Sequence, residues 1–170
     1  MVKRKYPVVP IDEALTADCD DDVIAISRTV AVVKGGRRFS FNALTVVGNR
    51  NGLVGVGYAK AKEVPNAVEK SVKEGKKRLM KVTRRESTIP HLVEGRFCAS
   101  RVRLVPAAPG TGIIAGRAVR KVVELAGIRD VLTKTYGSTN PMNVVKATLD
   151  ALAQLRDLKA IEALRGVSIE

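Results

Sequence analysis

The chain has 170 residues, is 45% hydrophobic, and sets thirty Lys and Arg against seventeen Asp and Glu, a net charge of +13. That length supports one ordinary hydrophobic core or two small ones, and the charge favours a polyanion, either nucleic acid or an anionic membrane surface. No apolar run reaches the roughly 18 residues of a membrane span, MVKRKYPVVP lacks the apolar stretch of a secretory signal, and Cys19 and Cys98 have neither CxxC spacing nor the His partners of a zinc site.

The charge is uneven along the chain. Residues 1–22 hold three basic and six acidic side chains, with prolines at Pro7 and Pro10 and acids at Asp18, Asp20, Asp21 and Asp22. They read as an extended arm, the acids as a solvated turn. Residues 23–89 hold fifteen basic side chains against four acids, a net +11, so the electrostatic footprint is expected there.

Regular structure is expected from Val23, in a β-branched run to Val33. Lys34-Gly35-Gly36-Arg37 reads as a flexible turn, since paired glycines admit positive φ without steric cost. Phe39 to Val47 is a second strand, Asn49-Arg50-Asn51-Gly52 a hairpin tip, and Leu53 to Ala59 a third strand. Val64, Ala67, Val68, Ser71, Val72, Gly75 and Leu79 recur at three- and four-residue spacing, the buried face of a helix. This makes a β-β-β-α unit over residues 23–85, a three-stranded antiparallel sheet with a helix across it.

KVTRRESTIPHLVEG reads as the connection to a second α+β unit over residues 86–170. A strand at Ser100 to Val105 alternates Val102 and Leu104 with Arg101 and Arg103. The loop PAAPGTG precedes a helix from about Ala115 to Ala126, with Gly127 as its C-terminal stop. Val131 to Tyr136 is a short strand. Asn140-Pro141 supplies the N-cap and first position of a helix running to Leu155.

Several motifs invite chemistry. GVGYAK follows a strand and precedes a helix, but Lys60 stands at the third glycine position of a dinucleotide fingerprint and no acid ends a second parallel strand. Gly55 and Gly57 lie on one strand face and permit close approach of a backbone, the helix's own or an RNA sugar-phosphate chain. GTGIIAGR, Gly110 to Arg117, opens a helix without the Lys-Ser/Thr of a Walker A loop; it reads as a plain turn, a phosphate site or a protein interface. His91 reads as structural or surface. Phe39 and Phe41 share a strand face, favoured as core and otherwise a stacking platform. Nothing is arranged for catalysis, no cofactor or metal is expected, and the chemistry is binding.

The segment GRRFSFNALTVVGNRNGLVGVGYAKAKEVPNAV from Gly36 resembles the signature of the bacterial small-subunit ribosomal protein five family. TIPHLVEG, SRVRLVPA, GTGIIAG, AGIRDVL and GSTNPMNVVKAT extend the resemblance over about Val23 to Leu155. It implies an N-terminal unit related to double-stranded-RNA-binding domains and a C-terminal left-handed β-α-β domain. It further implies a structural, cytoplasmic component of the small ribosomal subunit, bound to 16S rRNA near the head–body junction. Small-subunit proteins four and eight and the mRNA at its entrance channel are the implied partners, and decoding accuracy the implied contribution. In such proteins the loop between the first two strands, here Arg28 through Arg38, reaches toward neck rRNA, and the GTGIIAG loop with Arg120 meets protein four. Ala31 stands where that loop commonly carries a Lys.

The expected rRNA contacts are therefore Arg28, Lys34, Arg37, Arg38, Arg50, Lys60, Lys62, Arg101 and Arg103, with RNA binding centred on the first five. The expected protein interface is Gly110, Thr111, Gly112, Arg117 and Arg120. Two rivals stand beside this reading: a small-molecule kinase, whose phosphate loop and adjacent acid are missing here, and a free double-stranded-RNA-binding regulator, which would not need the second unit.

Overall fold

A computed structural model describes residues 19–166. Strands β1 (Asp20–Val33), β2 (Gly36–Gly48), β3 (Leu53–Ala61) and the two-residue β4 (Met80–Lys81) form an antiparallel sheet in sequence order. Helix α1 (Val64–Lys76) lies across one face. The sheet has four strands, not the three expected, because the chain leaving α1 returns along β3 and pairs Met80 with Val54. Leu79 lies beyond the helix end but is buried as expected.

The glycines of β3 serve the helix. A Cβ on Gly57 would lie 1.7 Å from the Ser71 carbonyl oxygen, and one on Gly55 2.4 Å from that of Gly75. Of the two readings left open for this pair, helix packing is the one realised, and the bared backbone is covered by α1. Thr45 and Ser71 close the same contact with a buried hydroxyl–hydroxyl hydrogen bond of 3.1 Å.

The second sheet has the order β5 (Val93–Phe97), β6 (Ser100–Pro106), β8 (Val131–Gly137), β7 (Ile113–Ile114). All neighbours are antiparallel except β7 and β8, which are parallel and joined through α2 (Arg117–Leu125). Helix α3 (Pro141–Ala153) covers one face, its Asn140 cap accepting from the Met142 N–H as expected. A fourth described helix, α4 (Leu158–Arg165), buries none of its residues. Neither β5 nor β7 nor α4 was expected, and α2 starts at Arg117 rather than Ala115.

Helix α2 packs on β1, β2 and β3 of the first sheet. Ile24, Leu44, Val46 and Val54 therefore share one continuous core with Val119, Val122, Val123 and Leu125 of that helix, and with Val102, Leu104 and Val145 beyond it. The helix's C-terminus shows how closely the two halves fit. Gly127, at φ +83°, donates to the Glu124 carbonyl and Ile128 to that of Val123, a Schellman closure. The remaining carbonyls, Leu125 and Ala126, accept from the N–H groups of Arg50 and Gly52 in the β2–β3 hairpin tip at 2.9 and 3.0 Å. All four terminal carbonyls are satisfied, two of them by the other half of the chain.

The described strand begins at Asp20, three residues ahead of the expected start. The acids of that segment are not a solvated turn: Asp20 pairs with Arg50 at 3.0 Å and Asp22 with Lys121 at 2.6 Å. The rest of the expected arm, residues 1–18, lies outside the described residues.

Candidate nucleic-acid interface

Strand β1 pairs with β2 over its full length, from Asp20 opposite Gly48 to Val33 opposite Gly36, whereas β3 pairs only with Phe41 through Gly48. Residues 29–40 therefore leave the sheet as a two-stranded ribbon, roughly 17 Å long at about 3.4 Å per residue. A two-residue apex, Lys34-Gly35 with Gly35 at φ +89°, closes it. The expected four-residue turn is shorter than the sequence suggested, because Gly36 and Arg37 are already paired in β2.

Every residue from Val30 to Phe39 is exposed. Lys34, Arg37 and Arg38 form no ion pair among the described residues. Alternation along the paired strands puts Arg28, Val30, Val32, Arg37 and Phe39 on one face of the ribbon and Ala31 with Arg38 on the other. Phe39 is 45% exposed, with the Arg28 guanidinium 4.8 Å from its ring centroid. The favoured core reading of Phe39 is thus corrected: among the described residues no element beyond the end of β3 buries the ring, and it caps a cation instead. Ala31 faces Arg38 across the register, so Arg38 is the single cation of that pair.

Other cations are differently placed. Lys73 on α1 and Arg78 just past its end are compensated by Glu69 and Glu74, four residues earlier in each case. Lys60 at the end of β3 and Lys62 just before α1 are exposed. Arg50 is exposed but sits on a docked tip rather than a mobile one, with φ +52° and its ion pair to Asp20. Arg101 and Arg103 lie on the outer face of the second sheet, away from the helix-covered side that holds Val102 and Leu104. The expected RNA contacts thus fall on the ribbon and its base, a hairpin tip, the β3–α1 junction and a separate sheet.

The Gly110–Gly112 loop folds around the chain's own anion. The Gly112 N–H donates to Asp130 Oδ1 at 2.9 Å, and the Ser87 hydroxyl and the Gly110 N–H also reach this carboxylate. These donors, led by Gly112, hold the Asp130 carboxyl below its ordinary pKa despite the opposing cost of burial, and neighbouring Arg129 adds to the effect. Asp130 is only 5% exposed. A phosphate in this loop would have to displace a carboxylate that already occupies the Gly110 and Gly112 N–H groups, which favours the turn and protein-interface readings. What remains is a shaped turn presenting Gly110 and Thr111 to solvent, with Thr111 donating to the Ala108 carbonyl at 2.7 Å. Arg117 and Arg120 are exposed on the first turn of α2 beside it, one helical turn apart.

Arg120 also lines a cleft of about 560 Å3 with Arg50, Arg84, Glu86, Glu124 and Arg129, at the seam between the halves. Arg84 bridges that seam, donating to the Gly127 carbonyl at 3.1 Å and to Asn51 Oδ1 at 2.7 Å. Neither Arg84 nor Asp130 was singled out from the sequence. His91 is structural: its Nε2 accepts from the Arg156 N–H at 3.2 Å, which leaves Nδ1 to donate to the Leu92 carbonyl at 2.9 Å. Among the described residues no cluster of His, Cys, Asp and Glu could hold a metal ion, and no helix is long and apolar enough to cross a membrane.

Two family models match the chain: Ribosomal protein S5, N-terminal domain, over residues 19–83, and Ribosomal protein S5, C-terminal domain, over residues 95–165. The small ribosomal subunit protein uS5 of Rhodopirellula baltica is 54% identical over 157 residues, covering 92% of this chain and 89% of the relative. The proteins of the same name from Shewanella amazonensis and Psychromonas ingrahamii are 51% and 50% identical, covering 90% and 92% of this chain and 91% and 94% of theirs. Both halves are matched in order, and the chain belongs to the ribosomal protein S5 family, as an RNA-binding structural protein of the ribosome and not an enzyme.

Proposed function

We propose that this chain binds 16S rRNA near the head–body junction of the small subunit in the cytoplasm, with the β1–β2 ribbon as its principal RNA contact. The observation that carries this is the ribbon itself: a projecting hairpin whose Lys34, Arg37 and Arg38 have no acid to neutralise them within the described residues. Elsewhere Arg50, Lys73, Arg78 and Lys121 are paired with acids, and the cations that form no ion pair among the described residues, such as Arg103, Arg120 and Lys134, sit on a helix or a sheet face rather than on a projecting arm. Uncompensated charge on an exposed two-stranded arm is suited to phosphate, whose counterions are released on contact. The N-terminal unit is read as related to double-stranded-RNA-binding domains, and the β7–α2–β8 connection as the left-handed β-α-β element.

The Gly110–Gly112 loop with Arg117 and Arg120 is proposed as the contact with small-subunit protein four; protein eight and the mRNA entrance channel complete the proposed surroundings. The rigid, Asp130-anchored loop supports a protein contact over a nucleotide site. The test is filter binding of the full chain to a 16S rRNA fragment spanning the junction, with the double variant Arg37→Glu/Arg38→Glu. Affinity is expected to drop at least tenfold with unchanged circular dichroism, and each lost phosphate contact should lower the salt slope by about one. Unaltered affinity of the double variant would remove the ribbon from the interface.

A further inference from the structure

Among the described residues, no element covers the outer face of the second sheet. Helix α3 packs on the opposite face, so tightly that a Cβ on Gly95 would lie 2.1 Å from the Ala147 carbonyl oxygen. The register lays out what the open face carries. Arg96, Arg101 and Tyr136 form one row across β5, β6 and β8, and Glu94, Arg103 and Lys134 form the next. Rows across a sheet place neighbours about 4.8 Å apart, and successive rows on one face are roughly 7 Å apart. Four cations and one acid therefore share a patch two rows deep, and that acid is shared with Arg101 at 3.9 Å. Arg103 and Lys134 have no ion pair among the described residues. Tyr136 is 40% exposed, with the Arg101 guanidinium 5.9 Å from its ring centroid. A third row adds Leu132 and Ile114, both exposed.

We infer that this sheet face is a landing surface for single-stranded RNA, with Tyr136 as the base-stacking platform and Arg96, Arg103 and Lys134 as phosphate contacts. The inference rests on the RNA-binding reading above but assigns a different surface and a different form of RNA. Charge complementarity selects the occupant. A second copy of the chain would bring the same excess of positive charge against itself. A duplex hides its bases, and an exposed aromatic ring flanked by guanidinium has its full use only where a base is unstacked. The ribbon also carries an exposed ring, Phe39, but on an arm only two strands wide, whereas the second sheet sets Tyr136 beside cations from three neighbouring strands. The aromatic-poor composition makes the distinction sharper, since the chain has only three Tyr and three Phe.

The experiment uses the full chain and two fluorescein-labelled probes, an oligouridine of about 12 nucleotides and an RNA duplex of about the same length, read by anisotropy at one fixed salt concentration. Tyr136→Leu is expected to weaken oligouridine binding about tenfold while duplex binding stays unchanged, as loss of one stacked base requires. Tyr136→Phe should restore it, and Arg103→Glu should weaken it by a similar factor. Ultraviolet crosslinking of oligouridine to the wild-type chain should map to the peptide containing Tyr136, which keeps the test independent of any folding defect in a variant. Three results would overturn the inference: no binding of oligouridine, an equal loss on both probes, or displacement of oligouridine by polyglutamate with Tyr136→Leu silent. The last would make the face an acidic-protein site. The ribbon proposal stands or falls separately, on Arg37→Glu/Arg38→Glu and folded rRNA.

Discussion

The backbone N–H of Arg50 donates to the carbonyl of Leu125 across 75 residues of sequence, so the β2–β3 hairpin tip finishes a helix that belongs to the other half of the chain. Gly127 makes that contact possible. It sits at φ +83°, and a Cβ there would lie 2.0 Å from the Arg50 carbonyl oxygen. Gly127→Ala combines a left-handed backbone with a backbone clash, and about 2–4 kcal/mol of lost stability is expected. Because the core is continuous, the loss should appear in urea melts followed by circular dichroism as one shifted transition. A second transition would show that the halves unfold independently.

The paired glycines of β3 give a sharper contrast. Gly57→Ala would drive a methyl group to within 1.7 Å of the Ser71 carbonyl, and only displacement of α1 relieves that. A loss of about 3 kcal/mol or more is expected. Gly36→Ala on the ribbon meets nothing within 4 Å and has no positive φ, so its change should stay within about 0.5 kcal/mol. Equal effects at the two sites would refute the close packing of α1 on β3.

Asp130 makes the loop before α2 pH-sensitive in a defined direction. Its folded pKa lies below the ordinary 3.8, so its ionised form contributes stability that is fully present above that value and is lost as pH falls through the folded pKa. Thermal melts of the wild type and Asp130→Asn should therefore differ at neutral pH and converge in acid, below the unfolded-state value. A difference that stayed constant down to that range would mean the carboxylate's charge is not what holds Gly110 and Gly112.

The strands β1, β2, β3, β6 and β8 and the helices α1 to α3 were legible because each carries its own periodicity or its own caps. What escaped depends on partners distant in sequence. Strand β5, VEGRF, is broken as a pattern by Gly95, which is glycine because Ala147 of α3 occupies the space a side chain would need. Ile113 and Ile114 read as part of the glycine-rich loop leading into a helix because an apolar pair carries no period, and only pairing with Val131 and Leu132 makes them a strand. Helix α4 buries nothing, so burial left no mark on its sequence. Asp20 and Asp22 look like a solvated turn until Arg50 and Lys121 are brought beside them. The ribbon cations were legible from the basic excess of residues 23–89, the paired-glycine turn and the family resemblance. The exposure of Phe39 was not, because β3's early end is a matter of register. Asp130 carried no local signal: its partners lie 18, 20 and 43 residues earlier, at Gly112, Gly110 and Ser87.

Arg120 is the residue through which the proposed contact with protein four can be tested in translation. It is exposed on α2 and makes no ion pair among the described residues, and the loop beside it is held by Asp130 rather than by Arg120 itself. Arg120→Glu should therefore leave the fold intact while reversing one charge at the proposed interface. A loss of about 1.4 kcal/mol there shifts a two-state equilibrium of the subunit roughly tenfold. Ribosomes carrying the variant are expected to assemble at normal yield on gradients and to misread near-cognate codons at an altered rate, measured with a stop-codon reporter. Normal assembly with unchanged misreading would take Arg120 out of the fidelity role. Failed assembly, with the isolated variant still folded by circular dichroism, would make the contact a requirement for building the subunit rather than for tuning it.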